Sequence, residues 1–376
     1  MTDSDQHGTL DRREFLRAAG GLGAALGLGS VARVEASTRA GDEIMGMDAL
    51  SLSAAIHARR VSCEEVMRAC LGRIARLNPR FNAIVSLRPE DELLVEARAC
   101  DAELAAGRSR GWMHGFPHAV KDLADVKGLP TSLGSPISRG AVAAADSVFV
   151  ERLRAAGAIF IGKTNTPEFG LGSQTYNPVF GITRNAWDPS RTAGGSSGGA
   201  CVALALRLVP VADGSDMMGS LRNPAGWNNV IGFRPSQGRI PDESPSWYDQ
   251  LGTNGPMART VPEAARLLAT MAGYDPRDPM SLGEDPAVFA GSLAIDTRGL
   301  RVGWLGDLDG YLPMEPGVIP LCEQALGTVS VLGGSVEPLK PPFPPERLWQ
   351  AWRVLRHWSV GTWGAPLYRD ARLRAQ

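Results

Sequence analysis

Apolar and polar positions follow two periods along the chain after residue 50. Helical periodicity predicts helices at residues 50–76 (two helices), 89–106, 147–155, 197–206 and 317–332. Short apolar runs predict strands at residues 81–87, 118–121, 158–161, 209–212 and 300–304. Ser53 and Ser62 are the predicted N-caps of the first two helices. Because helices and strands alternate, the pattern predicts an α/β fold.

The N-terminal residues follow a different pattern, typical of an export signal. Residues 12–17 read RREFLR and match a twin-arginine signal, and a weakly apolar Gly/Ala-rich stretch follows at 18–32. That stretch is shorter than the roughly 20 apolar residues that a bilayer span needs. We therefore expect residues 1–36 to direct export and residues 37–376 to work in the periplasm or otherwise outside the cytoplasm. The alternative is an amphipathic N-terminal helix.

Composition excludes several classes of protein. The 376 residues carry a net charge of −1, with 44% apolar and 21% charged residues, which is ordinary for a globular protein. A nucleic-acid partner would require a basic surface, so none is predicted. The five cysteines are scattered without a C-x-x-C pair, which indicates neither a zinc site nor a disulfide framework. Cys201 lies in an apolar run and is predicted to be buried.

Two other features are predicted to be structural. His118 lies three residues before Lys121, and we expect it to pack in its strand or to line a pocket, because no ligand cluster accompanies it. Residues 340–349 are rich in proline and predict a surface connector. The tryptophans on the predicted helix that follows are expected to pack in a core: Trp349, Trp352 and Trp358.

The segment at residues 192–226 holds two Ser/Gly clusters joined by an apolar stretch. A Walker-type phosphate loop would need a Gly-Lys-Ser/Thr sequence, and this segment has no lysine. Residues 194–198 fit the Gly-x-Ser-x-Gly pattern of α/β-hydrolases loosely, but that mechanism requires a later histidine. The only later histidine is His357, which lies among tryptophans. A serine nucleophile in this segment would therefore need another type of base.

Three motifs of the chain resemble the amidase signature family. They are AVKD at residues 119–122, GGSSGG at 194–199 and GSDMMGSLRNPA at 214–225. The spacings also match the family: 75 residues separate the lysine from the first serine, and 24 residues separate that serine from the serine of the third motif. The resemblance extends from about residue 50 to about residue 351 and so covers most of the chain beyond the export signal.

The resemblance implies a fold and a set of catalytic residues. The implied fold is a single α/β domain with a central mixed β-sheet covered by helices on both faces. Ser220 would be the nucleophile, Ser196 would relay its proton through a cis peptide with Gly195, and Lys121 would be the final base. A lysine amine has an ordinary pKa of about 10.4 and is almost fully protonated at neutral pH. Lys121 must therefore be buried, and it ends an apolar predicted strand.

The resemblance also implies an oxyanion hole made of backbone N–H groups. The four groups belong to Met217, Met218, Gly219 and Ser220. Because glycine is common where this chain has Met218, we expect an intact oxyanion hole with an altered substrate preference. The supporting residues are Ser197 and Asp216, which would hydrogen-bond within the site, and Arg222, which would pair with a carboxylate, while Gly170 and Ser196 would contact the substrate.

The predicted activity is hydrolysis of a small-molecule carboxylic amide through an acyl-enzyme on Ser220, with neither metal nor cofactor. The expected protein partners are the twin-arginine export machinery and a second copy of the chain. One alternative is the glutaminase subunit of a tRNA-dependent amidotransferase, against which the export signal argues. The other is an exported binding protein, or a relic of an enzyme, without catalytic activity. Members of the family usually continue beyond the point at which this chain stops, so we expect the C-terminal part of the domain to be incomplete.

Overall fold

The computed structural model describes residues 39–243 and 251–374. The predicted export signal at residues 1–36 lies outside the described residues. The chain divides into two compact units, Met1–Gly291 and Ser292–Gln376. Both units combine helices with strands, so the predicted α/β class is confirmed. Among the described residues, the strands form four small sheets instead of one continuous sheet.

The first unit contains most of the helices. A helical segment at residues 39–46 precedes them. The helices are α1 (Ala49–His57), α2 (Cys63–Phe81), α3 (Glu90–Ala105), α4 (Val148–Ala155), α5 (Gly198–Ala205), α6 (Arg222–Asn228) and α7 (Val261–Met271). Short 3-10 helices lie at Pro136–Ser138, Glu168–Gly170 and Pro286–Ala290. The helices predicted at residues 89–106, 147–155 and 197–206 are confirmed as α3, α4 and α5.

In the described part of the first unit, the strands form three sheets. They are β1 (Ile84–Val85), β2 (Pro117–Lys121), β3 (Ile159–Thr164), β4 (Tyr176–Asn177), β5 (Gly181–Ile182), β6 (Ala212–Asp216), β7 (Ile231–Gly232) and β8 (Thr253–Ala258). The first sheet has the order β1-β3-β2, with β2 parallel and β1 antiparallel to β3. The second sheet has the order β6-β8-β7 and is antiparallel. Strands β4 and β5 pair with each other.

The N-termini of the first two helices are capped differently from each other. Ser62 caps α2 as predicted: its hydroxyl accepts the N–H of Glu65 at 3.1 Å, and the Glu65 carboxylate accepts the N–H of Ser62 at 2.8 Å. The prediction for Ser53 is wrong, because Asp48 caps α1 and Ser53 lies inside that helix. The Ser53 hydroxyl instead donates to the carbonyl of Trp112 at 2.6 Å.

Two predicted strands have different bounds in the structure. The strand predicted at residues 81–87 is reduced to β1, which spans two residues. The strand predicted at residues 209–212 is wrong, because β6 begins where it was expected to end. Val209 and Val211 are buried, but they lie outside the ladder. The apolar run marked burial at this place, whereas pairing with β8 begins at the more polar Ala212–Asp216 segment.

The first two sheets meet along a seam between β2 and β6. The two strands lie side by side, but no backbone ladder pairs them among the described residues. Instead, the Asp213 carboxylate of β6 accepts the backbone N–H of Lys121 in β2 at 3.1 Å. Every residue of β2 and β3 is buried, so the seam lies inside the first unit. The candidate site forms at this seam.

The second unit is smaller and more exposed. It contains β9 (Arg301–Trp304) paired in parallel with β10 (Ser335–Pro338), and the helices α8 (Val318–Val331), α9 (Pro345–Arg369) and α10 (Ala371–Arg374). The strand predicted at residues 300–304 and the helix predicted at 317–332 are confirmed. No helix of the described residues is both long enough and apolar enough to cross a membrane.

The tryptophans of α9 do not form the predicted core. Trp349 and Trp358 are 45% and 46% exposed. Trp349 stacks on Trp352 with ring centroids 5.0 Å apart. The prediction of core packing is therefore wrong for Trp349 and Trp358, because Ser359 is the residue that α9 buries among those described.

Candidate active site

Three segments bring the predicted site residues to the seam. Lys121 is the last residue of β2, where the strand ends inside the protein. Ser196 and Ser197 lie directly before α5, and Ser197 is the N-cap of that helix. Ser220 follows β6 in the turn that leads to α6. Each polar residue therefore lies at the end of a regular element, where loops can present side chains on a rigid scaffold.

The amine of Lys121 is surrounded by neutral oxygen atoms. Its side chain is buried, and Nζ lies 2.7 Å from Ser196 Oγ, 2.9 Å from Ser197 Oγ and 2.9 Å from Ser215 Oγ. The carbonyl oxygen of Ser215 lies 3.4 Å away. No carboxylate lies within ion-pair distance of Nζ among the described residues. The site therefore solvates the amine without neutralising a positive charge on it.

This environment lowers the pKa of Lys121 from its ordinary value of 10.5 to about 7. Burial is the main cause, because a charged ammonium loses its hydration in the interior. The negative charges of Asp213 and Asp216 act in the opposite direction and raise the pKa. A pKa of about 7 leaves a substantial neutral fraction at neutral pH. Neutral Lys121 has a free lone pair and can accept a proton.

The hydrogen bonds around the Lys121 amine indicate which hydroxyl can supply this proton. A neutral amine has two N–H donors and one lone pair. The Ser197 hydroxyl donates to the carbonyl of Ser215 at 3.3 Å, so it can only accept from Lys121. Ser197 Oγ also accepts the N–H of Ser215 at 3.3 Å. Ser196, at 2.7 Å, is then the nearest hydroxyl whose hydrogen is available to the lone pair of the amine.

Ser196 is held in place by a close approach of backbone segments. The Gly195–Ser196 peptide bond is cis. A Cβ atom on Gly195 would lie 2.9 Å from the backbone nitrogen of Gln174, so a larger residue would push these segments apart. Gly170 lies beside Ser196, because a Cβ atom on it would be 3.7 Å from Ser196 Oγ. The structure thus brings Gly170, Ser196 and Lys121 together.

Ser220 lies next to this group and is partly exposed to solvent. Its carbonyl oxygen accepts the N–H of Ser197 at 3.2 Å, which fixes the turn of Ser220 against the start of α5. Among the described residues, no hydrogen bond joins Ser220 Oγ to Ser196 Oγ. Catalytic hydrogen bonds are often long in the absence of substrate and shorten when it binds. Among the described residues, the backbone of Ser197 therefore joins Ser220 to the Lys121–Ser196 pair, and no side-chain hydrogen bond does.

The predicted oxyanion hole differs from expectation at one residue. The N–H of Gly219 donates to Asp216 Oδ1 at 2.6 Å and is therefore not free for a substrate oxygen. The N–H groups of Met217, Met218 and Ser220 donate to no acceptor within the described residues. Gly219 has a φ of +123°, which favours glycine at this turn. The Met218 side chain is 54% exposed and lies two residues before Ser220.

Asp216 holds the turn that carries Ser220. Its carboxylate accepts the N–H groups of Gly219 and Leu221 and the guanidinium of Arg222, whose two nitrogens lie 3.0 and 3.1 Å away. The Arg234 guanidinium contacts the same residue. Burial alone would raise the pKa of Asp216, but the Arg222 and backbone hydrogen bonds outweigh it and lower the pKa. An ionised Asp216 therefore braces the turn at neutral pH.

Sequence reasoning missed two residues of the site and underestimated a third. Ser215 contacts the Lys121 amine, and Asp213 bonds the Lys121 backbone. His118 was expected only to pack or to line a pocket; its ring is fully buried, with Nε2 3.0 Å from Asp213 Oδ1. A detectable signal existed, because His118 and Asp213 each interrupt an apolar run. In the described residues, no three His, Cys, Asp or Glu side chains are arranged to hold a metal ion.

Curated proteins are similar in sequence to most of this chain. A glutamyl-tRNA(Gln) amidotransferase subunit of Acidothermus cellulolyticus is 42% identical over 302 residues, covering 80% of this chain and 59% of the relative. An acylamidase of Rhodococcus erythropolis is 36% identical, covering 81% of this chain and 64% of the relative. The chain thus spans about three fifths of the length of these curated relatives.

Solved structures and a family model give the same result. A bacterial aryl acylamidase of the amidase signature family superposes with a TM-score of 0.79 and 32% identity, covering 88% of this chain and 69% of the other. A peptide amidase from Stenotrophomonas maltophilia has a TM-score of 0.70 and 34% identity, covering 78% of this chain and 62% of the other. The model of the amidase family matches residues 65–359. On this match and these likenesses, the chain belongs to the amidase signature family.

Proposed function

We propose that the protein is an amidohydrolase that cleaves a carboxylic amide to an acid and ammonia or an amine. The observation that carries the proposal is the buried Lys121 amine, 2.7 Å from the Ser196 hydroxyl and with its pKa lowered to about 7. A base of this pKa suits proton transfer at neutral pH. The acylamidase and peptide amidase names of similar proteins support an amide as the substrate class.

The acylation step uses Ser220 as nucleophile. Its Oγ forms a bond to the carbonyl carbon of the amide while its proton passes to Ser196 Oγ. The Ser196 proton passes at the same time to the lone pair of Lys121 Nζ, which lies 2.7 Å away. The C–N bond then breaks, and the leaving nitrogen receives a proton back along the same path. The products of this step are an ester on Ser220 and the free amine.

Deacylation repeats the relay with water. A water molecule adds to the ester carbon, its proton moves through Ser196 to Lys121, and Ser220 Oγ leaves with a returned proton. The partial exposure of Ser220 allows water to reach the ester. In both steps the negative carbonyl oxygen would be stabilised by N–H groups that have no internal acceptor within the described residues, those of Met217, Met218 and Ser220.

Covalent labelling tests this proposal directly. We expect a fluorophosphonate probe to form one adduct, located on Ser220 by mass spectrometry of the digested protein. S220A should abolish the adduct, and K121M should slow its formation by at least about 100-fold, the usual contribution of a general base. K127M is the matched control, because Lys127 is exposed to solvent. An unlabelled but folded wild-type protein would favour the alternative of an inactive binding protein.

A glutaminase role is the second candidate, and one observation favours it. The 42% identity to a glutamyl-tRNA(Gln) amidotransferase chain exceeds the 36% identity to the acylamidase. The two candidates differ in substrate: a glutaminase releases ammonia from glutamine, whereas an acylamidase hydrolyses other acyl amides. Measuring both products with the purified chain separates them. Ammonia from glutamine with no hydrolysis of simple amides would select the glutaminase.

We also propose that the chain is exported through the twin-arginine route. The proposal rests on the RREFLR sequence at residues 12–17 and the Gly/Ala-rich stretch after it. In a bacterial host with this pathway, we expect replacement of Arg12 and Arg13 by lysine to retain the protein in the cytoplasm. The matched control replaces Arg59 and Arg60, an exposed pair in the mature chain, by lysine. Equal export of both double variants would refute the proposal.

A further inference from the structure

We propose that Asp213, oriented by His118, is a positioning residue for Lys121. Its carboxylate would hold the end of β2 at the seam and supply a fixed negative charge behind the lysine amine. The inference rests on the proposed function, because it concerns the residue proposed as base. It extends that function to two residues, one on each side of the seam, that do not touch the substrate.

The geometry at the seam carries the proposal. Asp213 Oδ2 accepts the backbone N–H of Lys121 at 3.1 Å, and Asp213 Oδ1 lies 3.0 Å from His118 Nε2. The His118 side chain is fully buried and that of Asp213 is 1% exposed. No backbone ladder pairs β2 with β6 among the described residues. These two hydrogen bonds therefore join the two strands in place of backbone pairing.

The histidine determines how the carboxylate is turned. A carboxylate only accepts hydrogen bonds, so the His118 ring must carry its hydrogen on Nε2. The other ring nitrogen, Nδ1, is buried without a partner in the described residues. The ring of Phe160 meets His118 edge to face at 6.1 Å and limits its rotation. The His118 ring therefore makes its polar contact in one orientation, with Nε2 donating to Asp213 Oδ1. In that orientation the other oxygen of the Asp213 carboxylate, Oδ2, faces the backbone N–H of Lys121.

The charges near the amine define what Asp213 contributes. The charged side chains that act on Lys121 are Asp213 and Asp216 from β6. Cys201 from α5 would add a charge only as a thiolate, and burial raises the pKa of that thiol. The charge of Asp213 also raises the pKa of Lys163 in β3. Burial drives the Lys121 pKa down, and Asp213 is the largest influence that raises it. Without this charge the amine would be a weaker base, with less driving force to take the proton from Ser196.

The lysine content of the chain makes a direct measurement practical. The sequence contains four lysines, at positions 121, 127, 163 and 340. Labelling lysine with ¹³C at Cε therefore gives four NMR signals, which single Lys→Arg variants assign. The Lys121 signal reports its protonation whether or not the protein hydrolyses any substrate. A failure of the proposed function and a failure of this inference are thus distinguishable.

The central variant is D213N, which removes the charge and retains the shape. Asparagine can accept the Lys121 N–H with its oxygen and donate its amide hydrogen to His118 in the other tautomer. We expect the midpoint of the Lys121 titration to move down from about 7 by about one pH unit, as loss of a nearby charge in the interior requires. An unchanged or raised midpoint in folded D213N would overturn the proposal.

Variants of His118 test the orienting role. H118L removes the donor to Asp213, whereas H118Q retains a donor of similar reach. We expect a lowered Lys121 midpoint and slower probe labelling in H118L, with most of both restored in H118Q. Equal behaviour of these two variants would show that the ring only fills space. This pair also keeps the proposal testable where D213N does not fold.

E263Q is the matched control for loss of a buried carboxylate. Glu263 is buried and accepts the N–H groups of Ala49 and Thr260, each at 2.7 Å, so it also joins distant backbone segments. It does not act on Lys121. We expect E263Q to lower the free energy of unfolding and to leave the Lys121 titration unchanged. A downward shift of equal size in E263Q would assign the effect of D213N to general loosening of the fold.

Discussion

Two buried lysines, Lys121 and Lys163, lie in neighbouring strands with different partners. Lys163 donates to Thr131 Oγ1 at 3.1 Å and to the carbonyl of Ala124, and its amine lies 3.9 Å from Asp122 Oδ1. Burial lowers the pKa of Lys163 and raises that of Asp122. Lys121 has only neutral oxygens around its amine among the described residues. The amine of Lys163 therefore has a carboxylate within ion-pair distance that opposes the effect of burial on its pKa, whereas the amine of Lys121 has none among the described residues.

The lowered pKa of Lys121 predicts a specific pH dependence of stability. Between about pH 7 and pH 10.5 the unfolded chain binds a proton at Lys121 that the folded chain has lost. Folding stability therefore rises with pH in this window, by up to about 1.4 kcal/mol per pH unit for one proton. Below pH 7 both states are protonated, and the cost of burying the charge is fully present. K121M removes the titrating group and this dependence.

Urea unfolding of the wild type and K121M from pH 5.5 to pH 9 measures the effect. We expect K121M to be the more stable protein at pH 6 and its advantage to shrink as the pH rises above 7. K127M serves as the control for loss of a lysine that is exposed to solvent. Parallel stability curves for the wild type and K121M would contradict the assigned pKa.

We expect the Met218 side chain to restrict the size of acyl group that can enter the site. Its side chain is 54% exposed and lies two residues from Ser220, where the family commonly has glycine. We expect M218G to raise kcat/KM for amides with bulky acyl groups several-fold relative to acetamide-sized substrates, since one pocket contact is worth about 1–3 kcal/mol. M280G is the control for loss of a methionine elsewhere. An unchanged ratio between bulky and small amides would place the Met218 side chain outside the substrate path.

At the scale of elements, the local cap signal succeeded where its partner was a near neighbour and failed where the partner lay far along the chain. The capping box of Ser62 and Glu65 involves residues three apart, and the sequence alone predicted where α2 begins. Ser53 has the same residue type, but its hydroxyl bonds Trp112, which is 59 residues away. The start of β6 depends on its pairing with β8, which lies about 40 residues later. The local pattern of apolar and polar residues does not indicate such distant pairings.

Gly199 of α5 and Gly226 of α6 are expected to respond in opposite ways to replacement by alanine. A Cβ atom on Gly199 would lie 2.3 Å from the backbone nitrogen of Asn165, so G199A must separate α5 from the end of β3. We expect G199A to destabilise the fold by roughly 1–3 kcal/mol and to slow labelling of Ser220. Gly226 in α6 has open space around it, and G226A should stabilise the protein by about 0.5–1 kcal/mol. Urea unfolding of both variants measures this, and equal effects would contradict the close approach.

On the scale of the whole molecule, the two units differ in how much they bury. The first unit has a core cluster that includes β2, β3 and α5, with many residues fully inaccessible. In the described part of the second unit, α8 buries no residue and α9 buries Ser359. Because stability comes mainly from buried apolar area, packing within the second unit contributes little stability to that unit.

Hydrogen exchange should reveal this difference. We expect backbone amides of α5 and β3 to exchange at least about 1,000-fold more slowly than those of α8 and α9, because the latter open by local unfolding. Mass spectrometry of peptides from timed deuterium exposure gives the comparison. The exposed helix α3, which packs on the core through Leu93 and Ala97, is the control for ordinary surface helices. Protection of α9 equal to that of α5 would contradict the expectation.

The sequence motifs named three candidate site residues, but not all of the residues that hold them in place. The three motifs identified Lys121, Ser196 and Ser220, which the structure brings to one seam. The bond between Asp213 and Lys121 joins residues 92 apart, and that between His118 and Asp213 joins residues 95 apart. A polar residue in an apolar run indicates that a buried partner exists, but not which residue it is. The Gly219–Asp216 hydrogen bond depends on a turn geometry that composition does not specify.

The seam also determines when the amine acquires its chemistry during synthesis. Lys121 leaves the ribosome 94 residues before Ser215, which at roughly 5–20 residues per second is an interval on the order of 5–20 seconds. Until β6 docks, Lys121 ends a strand with an open edge, where water keeps its ammonium charged. The nascent chain therefore carries an ordinary cationic lysine. In the proposed mechanism, the base comes into existence only when the β1-β3-β2 and β6-β8-β7 sheets meet at the seam, so a partly made chain would lack it.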